Sequence, residues 1–256
     1  MVNNAKRSQR FNQISYKFGI QIPRSIKEAY ELDEQYGNTH WADAIKKEIG
    51  QIMEYKVFRD GGKNEKPVED YQKIPIRWVF DVKQSLVRKA RMVARGDKTD
   101  PPKDSVYSGV ASMRSLRIAC FLAKLNGLKL TGGDVGNAYL EAYTNEKVCF
   151  VAGREFREYG LEGHLVYIDK ALYGLRTSGA RFHAKFADTL RKLGFTPSYA
   201  DPDVWYRDAE DCYEYVVVYV DDILTALKDH EEFYKALQGD PWNYKLKNVE
   251  EPKYHL

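Results

Sequence analysis

Three aspartates carry the strongest chemical signal in this 256-residue chain. Asp221 and Asp222 are adjacent in Tyr215-Val216-Val217-Val218-Tyr219-Val220-Asp221-Asp222-Ile223-Leu224, where two apolar, β-branched runs meet and a strand is expected to reverse. A carboxylate taken out of water is costly unless an opposite charge goes with it, and no Lys or Arg occurs between Arg207 and Lys228. A divalent cation is one partner that satisfies such a pair. A solvated Asp-Asp turn is the other reading, because aspartate is a common turn residue. Asp134 stands in Gly132-Gly133-Asp134-Val135-Gly136-Asn137-Ala138-Tyr139, at the end of a further apolar run. Its small neighbours let a large ligand approach the backbone. If that strand pairs with the hairpin, three carboxylates share one sheet edge, a donor set for Mg²⁺ or Mn²⁺. Two such ions about 4 Å apart can activate an attacking oxygen and stabilise a leaving one during in-line phosphoryl transfer.

The elements that must position these residues are legible from periodicity. Trp41, Ile45, Ile49, Ile52 and Met53 recur at helical spacing over about residues 39–55. Gly61-Gly62 through Pro67 reads as a loop. Ile76, Trp78, Phe80 and Val82 alternate with Arg77, Asp81 and Lys83 as a strand with one buried face, and a second strand follows a tight turn near Gln84-Ser85. In that second strand Ala90, Met92 and Ala94 point one way and Lys89, Arg91, Val93 and Arg95 the other. An ammonium and a fork-shaped guanidinium on one face suit phosphate oxygens; a merely solvated face is the alternative. A mostly buried helix is expected over 112–126, from Ser112 to Gly127, then strands at 128–135 and 165–169 and a helix carrying Phe182, Phe186 and Leu190 to Gly194. Strands at about 203–207, 213–220 and 223–227, a helix near 230–238 and a short tail complete the chain. Hairpins outnumber βαβ units, which predicts an α+β fold with an antiparallel sheet backed by helices.

Composition narrows the classes. Apolar residues are 43% and charged residues 30% of the chain, a globular balance rather than a disordered one. Three scattered cysteines and five scattered histidines make neither a disulfide framework nor a zinc site, so the expectation is a reducing intracellular compartment, cytoplasm or nucleus. No apolar run is long enough to span a bilayer, so no membrane partner is expected. Charge is unevenly placed: residues 1–27 hold six basic and no acidic side chains, residues 77–98 seven basic against two acidic, and residues 201–256 fourteen acidic against six basic. That asymmetry fits a phosphate-binding part and a cation-binding part.

Taken in order, these pieces resemble the reverse transcriptase of copia-type LTR retrotransposons from about residue 26 onward. The resemblance rests on Trp41, Trp78-Val79-Phe80, Lys89-Ala90-Arg91-Met92-Val93-Ala94-Arg95-Gly96, the Asp134 motif, Ala171-Leu172-Tyr173-Gly174-Leu175-Arg176, Leu193-Gly194-Phe195, Ala200-Asp201-Pro202 and Tyr219-Val220-Asp221-Asp222. It implies a right-hand polymerase with a basic tail at 1–25, fingers at about 26–130 and palm at about 131–256. It implies Asp134, Asp221 and Asp222 as catalytic carboxylates, with the Val135 carbonyl as a further ligand to two Mg²⁺ or Mn²⁺ ions. Lys89 and Arg91 would meet the triphosphate of an incoming deoxynucleotide. Tyr139 would gate the sugar, Gly174 would lie beneath a base, and Arg95, Arg176 and Tyr219 would touch nucleic acid. The partners implied are an RNA or DNA template with primer, deoxynucleoside triphosphates and other segments of the same polyprotein.

The pattern also departs from the family. Where the family shows Leu-Tyr-Gly-Leu-Lys-Gln-Ala-Pro-Arg, Thr177 replaces Gln and the Pro is absent. The chain stops at Leu256, where the family continues into a thumb, so the expectation is a polyprotein fragment with a thumb missing and weak processive activity. Two other readings stand beside polymerisation: an inactive or domesticated palm-fold relic that binds nucleic acid, and a different metal-dependent phosphoryl-transfer enzyme.

Overall fold

The computed structural model describes residues 14–102 and 104–252. The first half of the expected basic tail, residues 1–13, therefore lies outside the described residues. After it, β1 (Ser15–Lys17) and β2 (Ile20–Ile22) form a hairpin turned at Gly19, φ +76°. The Ser25 side chain caps α1 (Ile26–Tyr36) by accepting from the Glu28 N–H, and left-handed Gly37 ends it. Asp33 of α1 then caps α2 (His40–Glu54), accepting from the N–H groups of Trp41 at 3.1 Å and Ala42 at 2.8 Å. A carboxylate is thus held at the positive end of that helix. Trp41, Ile45, Ile49 and Ile52 form its buried stripe, as their spacing predicts.

β3 (Phe58–Lys63) runs through Gly61-Gly62, which sequence assigned to a loop; an irregular register between Asp60 and Lys63 absorbs the two glycines. β4 (Gln72–Lys73), β5 (Ile76–Val82) and β6 (Arg88–Ala94) follow, with Ala90, Met92 and Ala94 buried as expected. Arg95 falls just past β6 rather than on its outer face. α3 (Met113–Leu125) opens at Ser112 but is not mostly buried. Leu116 and Ala119 pack on Val217 and Leu224, while Phe121 and Leu125 are each 67% exposed. The remaining elements are β7 (Lys129–Val135), β8 (Tyr143–Val151), β9 (His164–Lys170), α4 (Ser178–Lys192), β10 (Thr196–Pro197), β11 (Val204–Asp208), β12 (Tyr213–Tyr219), β13 (Asp222–Leu227), α5 (His230–Gln238) and β14 (Leu246–Glu250).

The chain divides into two compact units, each discontinuous in sequence. Residues 1–100 and 147–175 make the first, with the β1–β2 hairpin, the β5–β6 ribbon, α1, α2 and a sheet of order β3-β9-β8-β4. Residues 101–146 and 176–256 make the second, built on a six-stranded sheet of order β10-β11-β12-β13-β7-β14 in which every neighbouring pair is antiparallel. The fold is mixed α and β, with sheets that are largely antiparallel and helices packed on them.

The segment after α5, read from sequence as a tail, is tied into the second unit. β14 pairs with β7, and Tyr244 is buried edge-on against Phe186 of α4, with ring centroids 5.6 Å apart. The Tyr244 and Thr189 hydroxyls lie 2.9 Å apart. Burial pushes the Tyr244 phenol up to about 12. An unfolded tyrosine loses its proton near pH 10 while this one holds it, so the contribution of Tyr244 to stability falls as pH rises from about 10 toward 12. Tyr244→Phe is expected to cost about 1 kcal/mol at neutral pH, for the lost hydrogen bond. Its melting temperature should fall less steeply than that of the wild type over about pH 10–11, read by thermal denaturation.

Candidate active site

The site is assembled in the second unit by strand register. Asp222 of β13 lies directly opposite Asp134 of β7, a placement that sets side chains about 5 Å apart on the same face. The β12–β13 hairpin reverses through Val220-Asp221, between the opposed pair Tyr219 and Asp222. Val220 adopts φ +57°, a left-handed conformation that strains a β-branched residue. The Val135 N–H donates to the Asp221 carbonyl at 2.8 Å, tying the hairpin tip to the end of β7. Asp134 and Asp222 are half-buried, Val135 is buried and Asp221 is exposed, so desolvation falls on two of the three carboxylates only.

A base missing from the local sequence arrives from β14. Lys247 is the register partner of Asp134 on the other side of β7, and Lys245 accepts the Gly136 N–H at 2.8 Å through its carbonyl. β14 thus brings a positive charge beside Asp134. Among the described residues no group of three or more His, Cys, Asp or Glu side chains is arranged to hold a metal ion. Mg²⁺ is usually held by one or two carboxylates with substrate phosphates completing its shell. The opposed Asp134 and Asp222 fit that kind of shared site rather than a closed protein cage.

Behind the aspartates a buried polar cluster fixes the register. The Tyr234 hydroxyl of α5 and the Thr225 hydroxyl of β13 both donate to the Thr131 carbonyl of β7, at 3.2 and 3.1 Å. A Cβ added at Gly133 would lie 3.0 Å from the Tyr234 ring, so the glycine makes room for this anchor. Asn137 takes the left-handed turn after β7 at φ +54°, leading into a short 3₁₀ turn over Ala138–Glu141. There Tyr139 is half-buried, its hydroxyl reaching toward Gly179 at the start of α4. Thr177, the departure from the family pattern, is fully buried. Its N–H and hydroxyl both donate to the Glu146 carboxylate, at 2.9 and 2.7 Å. Arg176 beside it is exposed. The Ala200-Asp201-Pro202 motif is structural: Asp201 accepts from the Ser112 N–H at 3.0 Å, and the next residue, Asp203, accepts from Val218 of β12 through its carbonyl.

The first unit carries Lys89, Arg91 and Arg95. Lys89 and Arg91 lie on the outer face of β6, opposite Asp81 and Val79 of β5. Burial pushes the Lys89 ammonium down, helped by nearby Arg91 and Lys83. The Arg91 guanidinium sits 5.1 Å from the Tyr173 ring centroid. Gly174 follows at φ +90°, and a Cβ there would run into the Ala94 carbonyl. The Ala94 N–H donates to the Tyr173 carbonyl at 2.7 Å, so the glycine permits a backbone to press on β6. Arg95 is gripped bidentately by Asp97 at 2.6 and 2.7 Å, and that pairing pulls the Asp97 carboxyl down to about 2. Sequence reading missed Lys247, whose strand has no apolar periodicity, and Glu48, an acid inside an apolar helical stripe.

Residues 63–255 match the family described as Reverse transcriptase (RNA-dependent DNA polymerase). The chain is similar to the retrovirus-related Pol polyprotein from transposon TNT 1-94 of Nicotiana tabacum, 27% identical over 228 residues, covering 85% of this chain and 16% of that one. The polyprotein from transposon RE1 of Arabidopsis thaliana is 29% identical over 187 residues, covering 70% of this chain and 13% of its own. The chain thus spans about a sixth or less of these relatives. Among solved structures, the foamy viral protease–reverse transcriptase in complex with double-stranded DNA aligns with TM-score 0.43 at 20% identity, covering 77% of this chain and 28% of that one.

Two glycines distinguish a rigid obstacle from a yielding one. Gly174→Ala meets a backbone carbonyl at a left-handed φ and should cost about 2–4 kcal/mol. Gly133→Ala meets a tyrosine ring that can shift, and should cost about 1–2 kcal/mol. Chemical denaturation of the two variants checks the order.

Proposed function

The chain belongs to the copia-type branch of the reverse transcriptase (RNA-dependent DNA polymerase) family, and on that premise we propose that it carries the polymerising site of a retrotransposon Pol polyprotein. The observation that supports this best is the alignment of Asp134 with Asp222, and of Asp221 with the end of β7, at one end of an antiparallel sheet. In this reading a primer 3′-hydroxyl attacks the α-phosphate of a deoxynucleoside triphosphate and pyrophosphate leaves. The reaction asks the protein mainly for positioning and charge neutralisation.

Asp134, Asp221, Asp222 and the Val135 carbonyl would hold two Mg²⁺ or Mn²⁺ ions. Bound there, such ions supply Lewis-acid stabilisation of charge on the phosphoryl oxygens. The strained Val220 turn fixes where the Asp221 carboxylate projects. Lys89 and Arg91 neutralise the triphosphate, Tyr139 stands against the sugar and selects a deoxynucleotide, and Gly174 lies beneath a base. Arg95, Arg176 and Tyr219 contact template or primer, Arg95 by exchanging Asp97 for phosphate. Residues 26–130 act as fingers and 131–256 as palm, on an RNA or DNA template with its primer. The polyprotein's other segments complete the enzyme, which serves transposition inside the cell. Among the described residues no helix is long and apolar enough to cross a membrane.

Single-nucleotide incorporation on a short primed RNA template with Mg²⁺ tests this reading. Asp134→Asn and Asp221→Asn should each lower the rate by about 10²–10³-fold or more, with template affinity kept. Template binding without incorporation by the wild type would instead favour a relic that binds nucleic acid.

A further inference from the structure

β6 has one strand neighbour, β5, yet its far edge is not bare. Amide groups alternate along a strand: the Arg95 N–H just past β6 goes to the Pro75 carbonyl on the β5 side, while those of Met92 and Ala94 point the other way. The Ala94 N–H is taken by Tyr173, and the Met92 N–H by the Glu48 carboxylate of α2 at 3.1 Å. A side-chain acid thus stands where a third strand would be. Glu48 is 9% exposed and lies on the helix face of Ile45, Ile49 and Ile52, where an apolar residue would complete the stripe without the burial penalty.

The position bears on the basic face. Met92 follows Arg91 directly and is three residues from Lys89. Burial pushes the Glu48 carboxyl up, against the pull of the Met92 N–H, Arg91 and Lys89. On the edge away from β5, this stretch of β6 is thus tied at Met92 to α2 and at Ala94 to Tyr173, next to the residues that carry the two cationic side chains.

We propose that Glu48 is a positioning residue for nucleotide binding: its oxygen on the Met92 N–H holds β6 so that Lys89 and Arg91 face a triphosphate together. This rests on the reading of Lys89 and Arg91 given above. The acceptor matters and the charge does not, which separates Glu48→Gln from Glu48→Met at nearly constant volume.

The test measures dGTP affinity in Mg²⁺ by titration calorimetry on the full chain, and primer–template affinity beside it, for wild type, Glu48→Gln, Glu48→Met and the double variant Lys89→Ala/Arg91→Ala. Glu48→Met should weaken dGTP binding about tenfold, the scale of one ordinary hydrogen bond. Glu48→Gln should stay within about twofold of wild type, and primer–template affinity should be unchanged in both. Unchanged dGTP affinity in folded Glu48→Met, or a tenfold loss in Glu48→Gln, overturns the positioning role while a weakened double variant upholds the triphosphate face. Unchanged dGTP affinity in the double variant overturns the triphosphate reading and the proposal with it.

Discussion

One pairing underlies the site: the antiparallel register of β7 with β13, which sets Asp134 opposite Asp222. Side chains alternate across a strand, so a slip of one residue would send Asp222 to the far face and bring Ile223 forward. Nothing in two aspartates favours their own apposition; like charges across a strand pair repel. The register must therefore be set elsewhere, by the Leu224–Gly132 and Ile223–Gly133 pairs and by the Tyr234, Thr225 and Thr131 hydrogen bonds behind them. The site is an unfavourable contact stabilised by favourable ones a few residues back along the same two strands.

That arrangement explains why the strained and charged features sit together. Val220 is bent into a left-handed turn that places Asp221 beyond the last pair of β12 and β13, and the Val135 amide holds the turn. β14 then closes the open edge of β7 and carries Lys247 alongside Asp134. Tyr244, anchored on Phe186 and Thr189, fixes where that strand begins. The same strand that closes the edge therefore brings a positive charge beside the opposed aspartates.

The elements that bury a regular face were legible in the sequence. The α2 stripe, the β5–β6 alternation and the Val-rich hairpin each repeat at the period of their structure, and the hairpin pairs with the Asp134 strand as the sequence suggests. β14 was illegible because, after half-buried Leu246, Lys247, Asn248, Val249 and Glu250 are all exposed and give no period to read. Its pairing comes from backbone groups. Glu48 was hidden for the opposite reason: a single acid within an apolar stripe looks like surface until its partner amide, forty-four residues along the chain, is known. Thr177, where the chain departs from the family pattern, is a buried tie to Glu146, a partner with no sequence signature. The exposed half of α3 marks the limit of composition, since apolar residues alone do not say how many faces will be covered.

The most direct measurement is paramagnetic broadening by Mn²⁺ of the backbone amide resonances, with a non-hydrolysable deoxynucleoside triphosphate bound. If the β7–β13 register builds a cation site, broadening should concentrate on Val135, Gly136, Asp221 and Asp222 and disappear in Asp134→Asn. Broadening centred elsewhere, or unchanged by that substitution, would contradict the account.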